Sequence, residues 1–83
     1  MTREVADTLR RASTGTETLS VLYAVLAGYG ITGDEAVDAA RFVGSTFHGF
    51  VGLELGGGYE LPYPVDHSFE RLVTATSRAL AGW

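Results

Sequence analysis

Apolar residues recur along the chain with the period of an α-helix, and no stretch shows the alternation of a β-strand. The segment Thr2–Ala12 places Val5 and Leu9 on one face and its charged side chains elsewhere, which predicts a short amphipathic helix that frays. A second helix is predicted from Thr16 to Tyr29. Apolar residues surround it almost completely, so we expect it to be buried.

Two local signals mark the ends of the second helix. Thr14 stands three residues before Glu17, the spacing of a capping box in which each side chain satisfies a free amide of the first turn. Gly30 follows the last apolar residue, and glycine adopts the left-handed conformation that ends a helix without steric cost. We therefore expect a capped helix with a sharp stop.

The third helix is the longest, predicted from the acidic residue Asp34 to about Leu55. More than half of its circumference is apolar or small, so one neighbouring helix is not enough to cover it. Its interior glycines Gly44, Gly49 and Gly52 each cost about 1 kcal/mol relative to alanine. Either they weaken the helix, or a second helix approaches too closely for side chains; the unbroken apolar register favours close approach.

A run of three glycines, 56–58, ends the third helix, and Pro62 and Pro64 keep the connection out of helical conformation. Asp66 is the expected N-cap of a last helix that runs from His67 to about Ala81. The predicted fold class is all-α: a small helical domain of three main helices plus a short N-terminal one. A two-fold axis that duplicates the last two helices gives a four-helix bundle across a homodimer.

The composition indicates that the chain associates with another chain or with further parts of a larger protein. The 83 residues fit one small domain, residues 1–83, whose core alone is marginal, yet 46% of the chain is hydrophobic. We expect an oligomer or a part of a larger protein. The chain has no cysteine, which excludes a disulfide framework, a zinc knuckle and a thiol nucleophile.

The charge balance bears on partners. Six arginines face ten acidic residues, for a formal net charge of −4, so no basic face is available to neutralise nucleic-acid phosphates. The N-terminal segment Met1–Arg11 lacks the apolar core of a signal peptide. The longest apolar run, Leu19–Tyr29, is shorter than the roughly 20 residues of a membrane span. We expect a cytoplasmic protein that does not itself hold DNA.

Catalytic and metal-binding patterns are missing from the sequence. Two separated histidines and serines without an elbow motif predict no enzyme, no metal site and no cofactor. His48, beside the glycines, is either a hydrogen-bonded structural histidine or a polar group that lines a ligand cavity or a subunit interface. Glu54 falls within the apolar arc of the third helix, so it must reach solvent or find an arginine or another donor, such as one across a dimer.

The second half of the chain carries more specific motifs: Phe47-His48-Gly49-Phe50, Leu53-Glu54, the glycine run before Tyr59, Pro62, and Asp66 with Phe69-Glu70-Arg71-Leu72. Together they resemble the C-terminal part of tetracycline-repressor (TetR) family regulators of the WHG subgroup, over Ala40–Trp83. The tryptophan that names the subgroup is Phe47 here. Residues Met1–Ile31 carry no motif of their own, and nothing resembles the N-terminal helix-turn-helix that reads DNA.

The resemblance implies the effector-binding and dimerisation domain of a larger bacterial transcriptional regulator, usually a repressor that a small molecule releases. The partners implied are a second copy of the chain and a small apolar or aromatic effector, with DNA bound through a helix-turn-helix domain elsewhere in the parent protein. An alternative is a stand-alone helical interaction module without a small-molecule ligand. The candidate ligand-pocket residues are Tyr23, Leu26, Phe47, His48 and Phe50. The candidate dimer-interface residues are Gly44, His48, Gly49, Gly52, Phe69, Leu72, Val73, Thr76 and Leu80.

Overall fold

The computed structural model describes residues 1–12 and 18–83, and the regular structure in these ranges is entirely helical. The helices are α1 (Arg3–Ala12), α2 (Thr18–Gly28), α3 (Gly33–Leu55) and α4 (Val65–Ala81). The all-α prediction of three main helices and a short N-terminal one is confirmed. The capping box proposed at Thr14 and Glu17 lies outside the described residues.

Glycines end α2 and α3, as the sequence predicts. Gly30, with φ +75°, follows α2, where the amide of Ile31 donates to the carbonyl of Leu26 at 3.0 Å. Gly57, with φ +76°, follows α3, and its amide donates to the carbonyl of Glu54 at 3.3 Å. The left-handed conformation lets these amides turn back onto the last carbonyls of each helix.

The prediction that Asp66 caps α4 is wrong. Pro64 occupies the N-cap position with φ −58°, and Asp66 lies inside the first turn. Proline has no amide proton to leave unsatisfied at a helix start, and its fixed φ suits the entry to a helix. The carboxylate of Asp66 instead accepts a hydrogen bond from Arg10 at 2.9 Å.

The short helix α1 is part of the core and not a frayed end. Ala6 and Leu9 are fully buried, and α1 packs against both α2 and α3. The core that they join is made from all four helices and the turn after α2. Its members are Ala6, Leu9, Leu22, Leu26, Ile31, Ala36, Ala39, Ala40, Val43, Phe47, Phe50, Phe69 and Leu80.

The expectation that α2 is buried all round is also wrong. Leu22 and Leu26 face the core, but Leu19 is 56% exposed and Tyr23 is 42% exposed. α2 packs mainly on α1 and α3, which leaves the side that carries Leu19 and Tyr23 exposed. None of the helices in the described part of the chain has the length and apolar character needed to cross a membrane.

Replacing Leu9 with alanine should lower the free energy of unfolding by about 2–5 kcal/mol, because it removes a fully buried side chain and leaves a cavity. The matched substitution Leu61→Ala, at a residue 81% exposed in the connection, should change it by no more than about 0.5 kcal/mol. Urea denaturation followed by circular dichroism measures both. Equal effects of the two substitutions would show that α1 does not belong to the core.

Candidate functional site

Four aromatic rings meet where α3, the connection and α4 come together. Phe69 on α4 is fully buried, with the Phe47 ring edge-on at 5.7 Å between centroids and the Phe50 ring at 5.5 Å. Tyr59 of the connection extends the group by packing on Phe50 at 5.1 Å. Phe47 and Phe50 are one turn apart on α3, so the spacing of the helix puts both rings on the side that faces α4.

Arg10 covers this cluster from α1. Its guanidinium carbon lies 4.4 Å from the centroid of Phe69 and 5.6 Å from that of Phe50, within the range of cation–π contacts. One terminal nitrogen, Nη2, donates to both carboxylate oxygens of Glu54, at 2.7 and 2.9 Å. The other, Nη1, donates to Asp66. A single side chain thus joins α1 to both α3 and α4.

The ion pairs of Arg10 stabilise its charged form. Burial by itself lowers the pKa of the guanidinium, but the hydrogen bonds and negative charges of Glu54 and Asp66 outweigh it, and the pKa of Arg10 is raised above its ordinary value. The sequence left open whether Glu54 reaches solvent or pairs with an arginine or another donor. The structure shows an arginine partner, Arg10. The partner belongs to the same chain, not to a second copy.

A second arginine of α1, Arg3, lies seven residues before Arg10 and also approaches Phe69, at 5.7 Å. It donates to Asp7 at 3.1 Å and to Glu70 at 2.8 Å, in exposed pairs that contribute little to stability. Sequence reasoning missed both arginines. Their heptad spacing on one face of α1 is the signal that could have found them.

The glycines of α3 fall into two groups. A methyl group added at Gly44 would meet Leu22 of α2 at 3.8 Å, an ordinary contact, whereas one added at Gly49 or Gly52 would meet nothing within 4 Å. His48 is on the same exposed side as these last two. No described helix of this chain therefore occupies the space in front of Gly49 and Gly52.

The candidate interface residues on α4 divide by burial. Phe69, Thr76 and Leu80 are enclosed by the chain itself, with at most 2% of their surface exposed. Leu72 and Val73 are half-buried at the edge of the core. Leu72, Val73 and their exposed neighbours therefore form the surface of α4 that another molecule can still cover.

The candidate pocket residues differ in burial. Leu26, Phe47 and Phe50 lie inside the packed core, while Tyr23 and His48 are exposed on α2 and α3. Three concavities in the described part of the chain are lined by other residues. One of about 200 Å³ is formed by the α3–α4 connection and the start of α4. Wider ones lie between α1 and α2 and beside the C-terminal Trp83.

A protein-family model described as "Tetracyclin repressor-like, C-terminal domain" matches residues 1–76 of the chain. The match includes the N-terminal segment, in which no motif was recognised from the sequence alone. No curated protein and no solved structure shows significant similarity to the chain.

Double-mutant cycles should separate the two ion pairs of Arg10. For Arg10→Gln combined with Glu54→Gln, we expect a coupling energy of about 1–2 kcal/mol, because both side chains are largely shielded from water. For Arg10→Gln combined with Asp66→Asn, we expect about 0.5 kcal/mol or less, because the Asp66 side chain is 75% exposed. Urea unfolding of the single and double variants gives both values. A larger coupling to Asp66 would contradict this assignment.

Proposed function

We propose, because the chain belongs to the tetracyclin repressor-like C-terminal domain family, that it is the effector-binding and dimerisation domain of a small-molecule-responsive bacterial transcriptional regulator. Binding to DNA would then be the task of a helix-turn-helix domain elsewhere in the parent protein, which works in the cytoplasm. The net charge of −4 agrees with this division, because nucleic-acid binding needs a basic face. No catalytic role is assigned to the chain.

The observation that supports a dimer is the open side of α3. Gly49 and Gly52 are exposed, and a methyl group added at either would meet no described residue outside the local helix within 4 Å, although each glycine costs about 1 kcal/mol of helix stability relative to alanine. Two glycines three positions apart on a helix form a shallow strip on which another helix backbone can lie closely. A second copy of the chain is the occupant that supplies such a helix by symmetry.

A flank of α4 can complete the same interface. Ser68, Leu72, Ala75 and Ala79 share this flank at helical spacing, and each is half-buried or exposed. They are small or apolar, in contrast to the charged residues Arg71 and Arg78 on the outer side of the helix. The buried candidates on α4 would support this interface from beneath without touching the partner.

Effector binding is supported by the family and by the aromatic character of the core. For the candidate pocket of Leu26, Phe47 and Phe50, an effector would have to displace side chains that now fill the space, since Leu26 is 0% exposed and Phe47 is 2% exposed. Tyr23 and His48 would remain at its outer edges. In this proposal the effector is a small apolar or aromatic molecule.

A stand-alone interaction module remains the second candidate, because the open side of α3 could equally receive a helix of another protein. Self-association separates the two functions. A domain that forms a homodimer covers Gly49 and Gly52 with a second copy of the same chain. A module for a different partner stays monomeric until that partner is added.

The chain should sediment at micromolar concentration as a dimer, about twice its mass of 8.8 kDa. Gly49→Leu should shift it to the monomer, because the new side chain fits the monomer but blocks the close approach of a second helix. Gly28→Leu is the matched control, since Gly28 also has open space in front of it but lies at the end of α2.

Sedimentation equilibrium gives the masses, and circular dichroism checks that helix content is retained. A monomeric wild-type chain, or a dimer that tolerates leucine at position 49, would count against dimerisation through α3. The interaction-module function would then be favoured.

A further inference from the structure

The concavity at the α3–α4 connection has the form of a small binding site. It encloses about 200 Å³ and is lined by Gly58, Tyr59, Glu60, Leu61, Tyr63, Val65 and Ser68. Two aromatic rings, two aliphatic side chains and one carboxylate thus converge on one space. Mostly apolar walls with few polar groups are the usual composition of a small-molecule site.

The two tyrosine rings are held in place from outside the concavity. Tyr59 packs on the buried Phe50, 5.1 Å away between centroids. The hydroxyl of Tyr63 is 2.7 Å from Nδ1 of His67, and the two rings are nearly perpendicular, at 89°. The amide of Tyr63 also donates to the carbonyl of Leu61 at 2.7 Å, which closes a tight turn between them. These contacts favour the observed positions of both rings.

The charge around the concavity is negative. Residues 42–70 contain four carboxylates and neither lysine nor arginine. One of these carboxylates, Glu60, lines the concavity itself. Arg10 and Arg3 reach this end of the bundle from α1, but their two charges are paired with three of these carboxylates, those of Glu54, Asp66 and Glu70. An anionic ligand would be repelled here, and a cationic one attracted.

We propose that this concavity binds a small organic cation with an apolar body. The aromatic faces attract an ammonium group through their quadrupoles, as aromatic cages do, and Glu60 adds the opposite charge. Leu61 and Val65 provide the contact for the apolar body. Such a ligand is the effector of the proposed function, on which this assignment rests. Its positive charge departs from a purely apolar effector, and its site lies outside the candidate pocket in the packed aromatic core.

The probe is benzyltrimethylammonium, compared with neutral benzyl alcohol and anionic phenylacetate. Each is titrated into the uniformly ¹⁵N-labelled full chain at constant ionic strength, and binding is followed by amide chemical shifts. We expect saturable shifts at residues 58–68 and an affinity order of cation, then alcohol, then anion. A cation over an exposed ring gains roughly 2- to 5-fold in affinity per ring.

Three substitutions test the groups assigned to the site. Tyr63→Leu should weaken binding of the cation roughly 2- to 5-fold, whereas Tyr63→Phe, which keeps the ring, should retain it. Glu60→Gln should weaken the cation but leave benzyl alcohol unchanged. Glu4→Gln is the matched control, because Glu4 is an exposed carboxylate on α1 that does not line the concavity.

Equal affinity for cation and anion, an unchanged affinity in Glu60→Gln, or shifts centred outside residues 58–68 would overturn the assignment. So would protection of these residues by a second copy that leaves the cation no access. The two proposals can fail separately. Selective cation binding by a monomeric chain would support the site and contradict the regulator domain, whereas a dimer without cation selectivity would contradict only the site.

Discussion

The burial of Phe69 is the constraint on which the rest of the structure depends. Its ring is fully buried and packs against Phe47 and Phe50 of α3 and the guanidinium of Arg10 from α1. A cation stacked on a buried ring must also satisfy its own charge, and Glu54 and Asp66 do so. One contact therefore fixes how α1, α3 and α4 meet.

This arrangement fills one side of α3 and leaves the other open. The aromatic side of α3 is packed against α4, while Gly49 and Gly52 face space in which no described residue lies. A small domain with a marginal core gains stability when such a side is covered by a second molecule. The same packing fills the space between the core aromatics, while a concavity remains at the connection.

The helices followed from the sequence because their signals are local. Apolar periodicity located all four, and glycine placed the ends of α2 and α3 within a few residues. The capping prediction for Asp66 failed because α4 begins at Val65, after Pro64, and because the carboxylate of Asp66 accepts a hydrogen bond from Arg10, which lies far away in sequence. The candidate pocket also depended on contacts distant in sequence. Helical spacing groups Phe47 with Phe50, but it does not show that Phe69 of α4 packs against both rings and fills the space beside them.

The sequence by itself determined the helical class, the resemblance to a regulator domain and the absence of a basic face, since these depend on composition and on residues close in the chain. Only the tertiary structure decided that α1 is core, that α2 is exposed on one side and that Glu54 pairs with Arg10. These outcomes depend on which helices become neighbours. That choice is made by the simultaneous packing of side chains distant in sequence, and no local pattern encodes it.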